Sequence, residues 1–223
     1  MNWHLFVDAD DTLWENNVFF ERAFDSFAEY LAHPAMTVAE VRAALDEIEH
    51  VNNRLYGYGS VNFARNLKAC FERLGGRALT RRDYSFINDL QSGLFDHPME
   101  LMPDVEETLA YLNGRHHLTL CTKGQPEEQR KKLERSGLSG FFHGVEVVKE
   151  KDADLYRKLG AGKEVVWMIG NSPKSDINPS LEAGLRAVYI PHVHTWHLEH
   201  QEMPERHERL LVLERFGELR GYF

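Results

Sequence analysis

The chain has 223 residues, of which 43% are hydrophobic, and its formal net charge is -9. That length is enough for a well-buried core and predicts one domain with an insertion, or one large and one small domain. The acidic balance, with no extended run of lysine and arginine, disfavours a nucleic-acid polymer or an anionic membrane surface as a partner.

Cysteine usage and the amino terminus bear on the compartment. Cys70 and Cys121 are far apart and neither belongs to a CxxC pattern. Because a chain of this size does not need disulfides for stability, we expect a reduced, cytoplasmic setting. The first apolar run follows Met1 closely, so no signal peptide is predicted. No apolar run approaches the roughly 18 residues of a membrane span.

Apolar runs and helical patterns alternate through most of the chain. Helical patterns begin at Pro103, Pro126 and Asn178, where Asn178 is the expected N-cap. This alternation predicts an α/β fold, a Rossmann-like doubly wound parallel sheet with right-handed crossovers. Five short runs, several dense in valine and isoleucine as buried strands are, predict the strands: 5–7, 118–121, 145–148, 165–169 and 187–190.

Residues 16–99 differ from the rest because their apolar residues follow helical periodicity and no strand is evident. Phe20 and Phe27, for example, share one helical face. We therefore predict that 1–15 and 100–223 form the α/β core and that 16–99 form an inserted helical cap.

The carboxyl-terminal region carries two further patterns. Residues 202–220 are predicted to form a docked terminal helix, because three apolar side chains share a helical face: Leu210, Leu213 and Phe216. Four histidines surround Trp196, but they lack the same-face spacing of a helical metal site, and we expect no metal there: His192, His194, His197 and His200.

Acidic residues follow the first predicted strand directly. Asp8, Asp10 and Asp11 stand together with Thr12 beside them. Clustered carboxylates repel one another unless a cation or a cationic side chain offsets their charge. In open parallel sheets the carboxyl ends of the strands are where ligands bind. The alternative is a polar turn that caps a helix.

Polar segments also follow three other predicted strands, and all four should converge on one crevice. Carboxylates, a hydroxyl, ammonium groups and backbone N–H donors suit phosphoryl transfer. Each residue has a structural alternative: Thr122 as a strand-end residue, Lys151 as a solvated charge with Lys149 as its rival, and Asp176 as a helix cap. The three segments are Thr122-Lys123-Gly124, Lys151 and 170–176.

Taken in order, the four segments resemble the motifs of the haloacid dehalogenase superfamily of phosphohydrolases. The resemblance covers nearly the whole chain, and the helical insertion resembles the smaller cap type of that family. The matching segments are Asp8-x-Asp10-x-Thr12-Leu13, then Thr122, then Lys151 with Asp152 and Tyr156, then Gly170-Asn171-Ser172 with Asp176-Ile177.

The resemblance implies a Mg²⁺-dependent phosphatase that acts on a small phosphorylated metabolite, such as a sugar phosphate, a phosphoglycolate-like acid or a nucleotide. Asp8 would attack phosphorus and form an aspartyl-phosphate, while Asp10 would protonate the leaving oxygen and later deprotonate water. Thr122 would donate a hydrogen bond to a phosphate oxygen. Lys151 would offset the negative charge on Asp8 and the phosphate.

The resemblance also implies a metal site and a phosphate site. The Mg²⁺ ligands would be oxygen atoms of Asp8, Asp10, Asn171 and Asp176, with Asp10 contributing its main-chain carbonyl. The phosphate contacts would come from Ala9, Thr122, Lys123, Gly124 and Lys151. Weaker candidates for substrate selection are Trp14, Asn17, Arg54, Arg65 and Lys68.

Asn171 departs from the family, which usually has an aspartate there. An amide oxygen can coordinate Mg²⁺, but it brings no negative charge. Asp176 could take over part of the coordination, the metal could bind more weakly, or activity could be lost to leave a phosphate-ligand binding protein. A phosphomutase of the same superfamily would share the motifs. Dehalogenases of the superfamily lack the second aspartate, so Asp10 favours a phosphate-ester substrate.

Overall fold

The computed structural model describes residues 2–223, which divide into two compact units. The first, here called the sheet unit, joins the segment that ends at Asn17 to Met99–Phe223. The second, here called the helical unit, is Val18–Pro98. Within residues 2–223, no helix has the length and apolar character needed to cross a bilayer.

Six parallel strands form one sheet in the sheet unit. They are β1 His4–Val7, β2 His117–Lys123, β3 Gly144–Val148, β4 Val166–Gly170, β5 Arg186–Tyr189 and β6 Leu210–Val212. Their order is β3-β2-β1-β4-β5-β6, so the winding reverses between β1 and β4. Open α/β sheets bind ligands at such a reversal. The α/β class and the five predicted strands are confirmed.

Helices account for most of the remaining regular structure. Four lie largely in the helical unit: α1 Asn17–Leu31, α2 Val38–Tyr56, α3 Ser60–Gly75 and α4 Arg81–Asp96. Four lie in the sheet unit: α5 Val105–Asn113, α6 Pro126–Arg135, α7 Ala153–Gly160 and α8 Asn178–Glu182.

The sheet is covered on both faces, as its apolar strands require. In β1, Leu5 and Val7 join one core cluster with Leu109 of α5. Phe6 points to the opposite face and joins a second cluster with Tyr156 of α7. Val7 pairs with Leu120 of β2 and with Ile169 of β4, and this register sets the position of the residue that follows Val7.

The helical unit has a hydrophobic core of its own, to which Phe27, Leu45 and Ile87 contribute fully buried side chains. Helix α4 was not recognised in the sequence, although it carries a start signal. The Thr80 hydroxyl accepts a hydrogen bond from the Asp83 amide, and the Asp83 carboxylate accepts one from the Thr80 amide. Such a reciprocal capping box satisfies two N–H groups of the first turn.

The prediction of a terminal helix in 202–220 is wrong. Leu210–Val212 forms strand β6, which pairs with β5 in parallel, and Phe216–Gly221 forms a 3-10 helix. The apolar residues at 210–213 are consecutive, which suits a strand as well as a helix face. The open edge of β5 supplied hydrogen-bonding groups that decided between the two.

Two helix starts also differ from expectation. Asn178 lies within helical backbone, and a π-helical turn, Pro173–Ile177, precedes it. The cap is Ser172, whose hydroxyl accepts a hydrogen bond from the Ser175 amide at 2.9 Å. Helix α7 was not recognised because it is only eight residues long; Asp152 caps it by accepting from the Leu155 amide at 2.7 Å.

We predict that stability falls as the pH drops below about 6.5, the usual histidine value. The rings of His4, His117 and His143 lie next to one another at the amino ends of neighbouring strands, with centroids 4.9 Å apart for the first pair and 4.5 Å apart for the second. Burial lowers the pKa of His4 and of His117, and Lys163 and the neighbouring ring lower both further. The unfolded chain therefore binds protons first, and acid favours it.

Denaturant unfolding at pH 8 and pH 5 measures this effect. The loss of unfolding free energy between the two should be smaller in His117→Asn than in the wild-type chain, and unchanged in His50→Asn, which alters an exposed histidine of α2. The same loss in both variants would contradict the prediction.

Candidate functional site

Lys151 lies between two buried carboxylates. Its ammonium nitrogen is 2.6 Å from Asp8 Oδ1 and 2.7 Å from Asp176 Oδ1. Asp8 follows β1, Lys151 follows β3 and Asp176 belongs to the turn after β4, so the sheet brings together segments that are distant in sequence. Of these side chains, Lys151 is 2% exposed and Asp176 is 1% exposed.

The charges in this group do not balance, since two carboxylates share one ammonium. Burial raises the pKa of Asp8 to about 7; Lys151 opposes this rise and Asp176 adds to it. Burial alone would lower the pKa of Lys151, but the carboxylates of Asp176 and Asp8 raise it far above its usual range. Lys151 therefore stays charged, and the excess negative charge favours a further cation at the site.

Thr12 links Asp8 to Asn171. The Thr12 hydroxyl lies 2.9 Å from Asp8 Oδ2 and 3.1 Å from Asn171 Oδ1. The Asn171 amide group donates to the Thr195 hydroxyl at 2.8 Å, which turns its carbonyl oxygen toward Thr12. A carboxylate oxygen and an amide oxygen therefore meet at this hydroxyl. Mg²⁺ prefers oxygen ligands, so the donor set and the excess negative charge both fit a divalent cation.

Asp176 reaches Lys151 because the last residue of β4 is a glycine. A Cβ atom at Gly170 would lie 2.2 Å from Asp176 Oδ2, a separation that no packing tolerates. The same Oδ2 accepts a hydrogen bond from the Ser172 amide at 3.0 Å. Both carboxylate oxygens of Asp176 are thus engaged, one by Lys151 and one by the loop backbone.

Three donors surround the carboxylate of Asp10. The Trp14 indole N–H donates to Oδ1 at 2.8 Å, and the Gln129 amide group donates to Oδ2 at 3.0 Å. The Lys132 ammonium is 3.1 Å from each of the two oxygens. Sequence reasoning named neither Gln129 nor Lys132 as a site residue, because polar residues on an amphipathic helix usually face solvent.

The remaining predicted phosphate contacts lie around the same strand ends. Thr122 is buried in β2, with its hydroxyl 3.4 Å from Gln129 Oε1. Ala9 is buried, and its carbonyl accepts from the Leu13 amide at 2.8 Å. Gly124 has a φ of +140°, which a glycine adopts readily.

Lys123 belongs to a polar network that the sequence did not reveal. Its ammonium is 2.7 Å from Glu199 Oε1 and 2.8 Å from Ser175 Oγ. Glu199 also accepts a hydrogen bond from the Ser172 hydroxyl at 2.6 Å and one from the Ser175 hydroxyl. Although burial opposes it, Lys123 and the two serines lower the pKa of Glu199. The network ties the segment after β5 to the loops after β2 and β4.

Of the four histidines of residues 192–200, His192 and His194 are in contact, with ring centroids 5.6 Å apart. His192 also lies beside Glu15, with Nε2 3.2 Å from Glu15 Oε1, and near Asp11, with Nδ1 3.8 Å from Asp11 Oδ1. Among residues 2–223, this is the one trio of histidine, cysteine or acidic side chains close enough to share a metal ion. Its atoms have other partners, since His192 Nδ1 accepts from the His194 amide and Asp11 accepts from the Asn17 amide.

The candidates for substrate selection are divided between the two units. Trp14 and Asn17 belong to the sheet unit, where Asn17 donates to the His194 carbonyl at 2.9 Å. In the helical unit, the Arg65 guanidinium lies 3.9 Å from the centre of the Tyr56 ring. The same unit contains Arg54, which is exposed. It also contains Lys68, whose ammonium is 3.0 Å from Asn88 Oδ1.

We predict that Gly170→Ala destabilises the chain because the new methyl group displaces Asp176 from Lys151. Overpacking of this kind costs about 1–3 kcal/mol of unfolding free energy, measurable by denaturant unfolding. Gly140→Ala is the matched control, since a Cβ atom there meets nothing within 4 Å. Equal stability of the two variants would show that the turn can absorb the methyl group.

Comparison with known proteins identifies the family of the chain. The family model of the haloacid dehalogenase-like hydrolases matches residues 4–184. A phosphoserine phosphatase of Thermus thermophilus is 27% identical over 185 residues, which cover 78% of this chain and 70% of that protein.

Solved structures with a similar fold cover nearly the full length of the chain. A haloacid dehalogenase-like family hydrolase from Xanthomonas campestris superposes with a TM-score of 0.82 at 25% identity, covering 99% of this chain and 94% of that one. An L-2-haloacid dehalogenase from Xanthobacter autotrophicus, with chloropropionic acid covalently bound, gives 0.67 at 16% identity over 99% and 98% of the two chains, and so shares the fold alone. The sequence match across most of the chain shows that this protein belongs to the haloacid dehalogenase-like hydrolases.

Proposed function

We propose that this hydrolase is a Mg²⁺-dependent phosphatase that cleaves a small phosphate monoester through an aspartyl-phosphate on Asp8. The observation that carries the proposal is the buried group of Asp8, Lys151 and Asp176 at the reversal point of the sheet. A nucleophilic carboxylate, a fixed ammonium and an unmet demand for positive charge are what phosphoryl transfer requires.

In the first step, a carboxylate oxygen of Asp8 forms a bond to phosphorus while the ester oxygen departs with a proton from Asp10. In the second step, a water molecule attacks the same phosphorus, Asp10 takes the proton of that water, and Asp8 is released with inorganic phosphate. Dividing the displacement in this way replaces one difficult step by two easier ones. Lys151 offsets charge on Asp8 and on the phosphate in both steps.

The metal would be held by oxygen atoms from two segments, the one after β1 and the one after β4. Asp8, the main-chain carbonyl of Asp10 and the amide oxygen of Asn171 supply the ligands, with Asp176 contributing to a lesser degree because its oxygens already accept other hydrogen bonds. When bound, Mg²⁺ supplies positive charge to the phosphate oxygens and orients them.

The phosphate would be bound by the residues at the strand ends. The Thr122 hydroxyl donates a hydrogen bond to a phosphate oxygen. Further contacts come from the turn that includes Ala9 and from Lys123 and Gly124. We also propose that the helical unit acts as the cap domain, which selects the substrate and excludes water during the first step. The similarity to a phosphoserine phosphatase supports a small phosphorylated metabolite as substrate, and the free, buried cysteines fit a cytoplasmic enzyme.

Asn171 favours a second candidate, a phosphate-ligand binding protein with weakened catalysis. Release of phosphate from p-nitrophenyl phosphate and a panel of phosphate esters, with and without Mg²⁺, separates the two. Turnover that requires Mg²⁺ supports the phosphatase. A folded chain that binds inorganic phosphate but turns over no ester supports the binding protein. Transfer of phosphate between two positions of one substrate, without release, would identify the phosphomutase.

We predict that Asp8→Asn abolishes turnover, because an amide is not a nucleophile toward phosphorus. The loss should exceed about 10³-fold, as for removal of a group that acts in the covalent step, while circular dichroism shows an intact fold. Asp154→Asn, at an exposed position of α7, should retain activity. Full activity in Asp8→Asn would remove the nucleophile assignment.

We predict that Asn171→Asp tightens Mg²⁺ binding by about tenfold, because it adds a negative charge to the ligand set. The rise in unfolding temperature with Mg²⁺ concentration and the Mg²⁺ dependence of turnover both measure this. Asn178→Asp makes the same chemical change farther along the segment after β4 and should leave metal binding unchanged. If both variants match the wild-type chain, position 171 does not reach the ion.

A further inference from the structure

The surroundings of Asp10 point to two residues with a part in the chemistry. We propose that Lys132 and Gln129, both on α6, are positioning residues that fix the carboxylate plane of Asp10 for proton transfer to and from the reacting oxygen. The inference rests on the proposed function, in which Asp10 is the acid and base. Neither residue belongs to the four motifs on which that proposal is based.

The first support is the geometry of the ion pair. The Lys132 ammonium lies 3.1 Å from both oxygens of Asp10, so it spans the carboxylate rather than one corner of it. The Lys132 ammonium also donates a hydrogen bond of 2.7 Å to Asn16 Oδ1, which further restrains its position. A symmetric contact of this kind restrains rotation of the carboxylate about its Cβ–Cγ bond, which a single hydrogen bond does not.

The second support is burial. The Lys132 side chain is 6% exposed, whereas most lysines on surface helices keep their ammonium in water. Burying an ammonium is unfavourable unless a well-formed partner offsets its lost hydration. Here that partner is Asp10, whose side chain remains 22% exposed and thus open to a substrate.

The third support is the bridge made by Gln129. Its amide nitrogen donates to Asp10 Oδ2 at 3.0 Å, while its amide oxygen lies 3.4 Å from the Thr122 hydroxyl. The Gln129 side chain therefore connects Asp10, the candidate acid, to Thr122, the candidate hydrogen-bond donor to the phosphate. Because α6 also carries Lys132, a single rigid helix sets both contacts.

Gly124 supplies the space that this bridge needs. A Cβ atom there would lie 2.9 Å from the Gln129 amide nitrogen and 3.1 Å from its Cγ. Together with its φ of +140°, this close approach restricts the position to glycine. The steric role of Gly124 is thus to let Gln129 pass between the end of β2 and Asp10.

A positioned acid matters most when the leaving oxygen is a poor leaving group. An activated oxygen departs without a proton, whereas a basic oxygen needs one in the transition state. Loss of positioning should therefore steepen the dependence of kcat/KM on the acidity of the leaving group. A merely structural role for the ion pair would lower kcat/KM for all esters by the same factor.

The experiment compares 4-nitrophenyl, phenyl and 4-methylphenyl phosphate, which are similar in shape but differ in leaving-group acidity. Lys132→Met should lower kcat/KM about 10²-fold more for the phenyl and 4-methylphenyl esters than for the 4-nitrophenyl ester. Lys132→Arg, which keeps a cationic donor, should recover part of the difference. Lys131→Met, at the exposed neighbouring position, is the matched control.

Gln129→Leu keeps the test independent of folding, since it removes one donor and leaves the ion pair in place. Gln129→Leu should also steepen the dependence of kcat/KM on leaving-group acidity, but to a smaller degree than Lys132→Met. An equal loss for all three esters in both variants would overturn the inference while leaving the phosphatase proposal intact. Absence of turnover by the wild-type chain of these three esters and of the panel of phosphate esters would instead refute the proposed function, and this inference with it.

Discussion

The contact on which the site depends is the one between the Lys151 ammonium and the carboxylates of Asp8 and Asp176. Removing one partner from such a buried group typically costs about 3–5 kcal/mol, because the remaining charge is left without compensation. The group nevertheless has two carboxylates for one ammonium, and burial, with a smaller contribution from Asp176, raises the pKa of Asp8 to about 7. Stability alone would be served better by a neutral, apolar arrangement. Under the proposed function, a bound cation would offset the excess negative charge.

The topology of the sheet explains why these charges meet. The strand order reverses between β1 and β4, so their carboxyl ends diverge toward helices on opposite faces and leave a crevice. Asp8 and Asn171 follow these two strands directly and share the hydroxyl of Thr12. Small residues then set the fine geometry. Gly170 admits the Asp176 carboxylate, as Gly124 admits Gln129.

A second layer of polar contacts supports the first. Glu199 holds Lys123 and two serines of the loop after β4, and Lys132 spans the carboxylate of Asp10. Each of these contacts joins a loop or helix to a different strand end. Rotamers that are fixed by such partners would keep the groups that we propose to react in place, without reorganisation at the moment of reaction.

The sequence by itself determined the fold class, because apolar strands and helical faces have local periods that can be read directly. It also identified the segments of Asp8, Thr122, Lys151 and Asn171, since polar residues at the ends of buried strands face the same edge of a sheet. Only the tertiary structure revealed strand β6, which needs the open edge of β5. It also revealed the contacts of Lys132 with Asp10 and of Glu199 with Lys123. Lys132 is 122 positions from Asp10, and Glu199 is 76 positions from Lys123. Contacts over such separations depend on which way a helix or loop packs, and no local pattern encodes that choice.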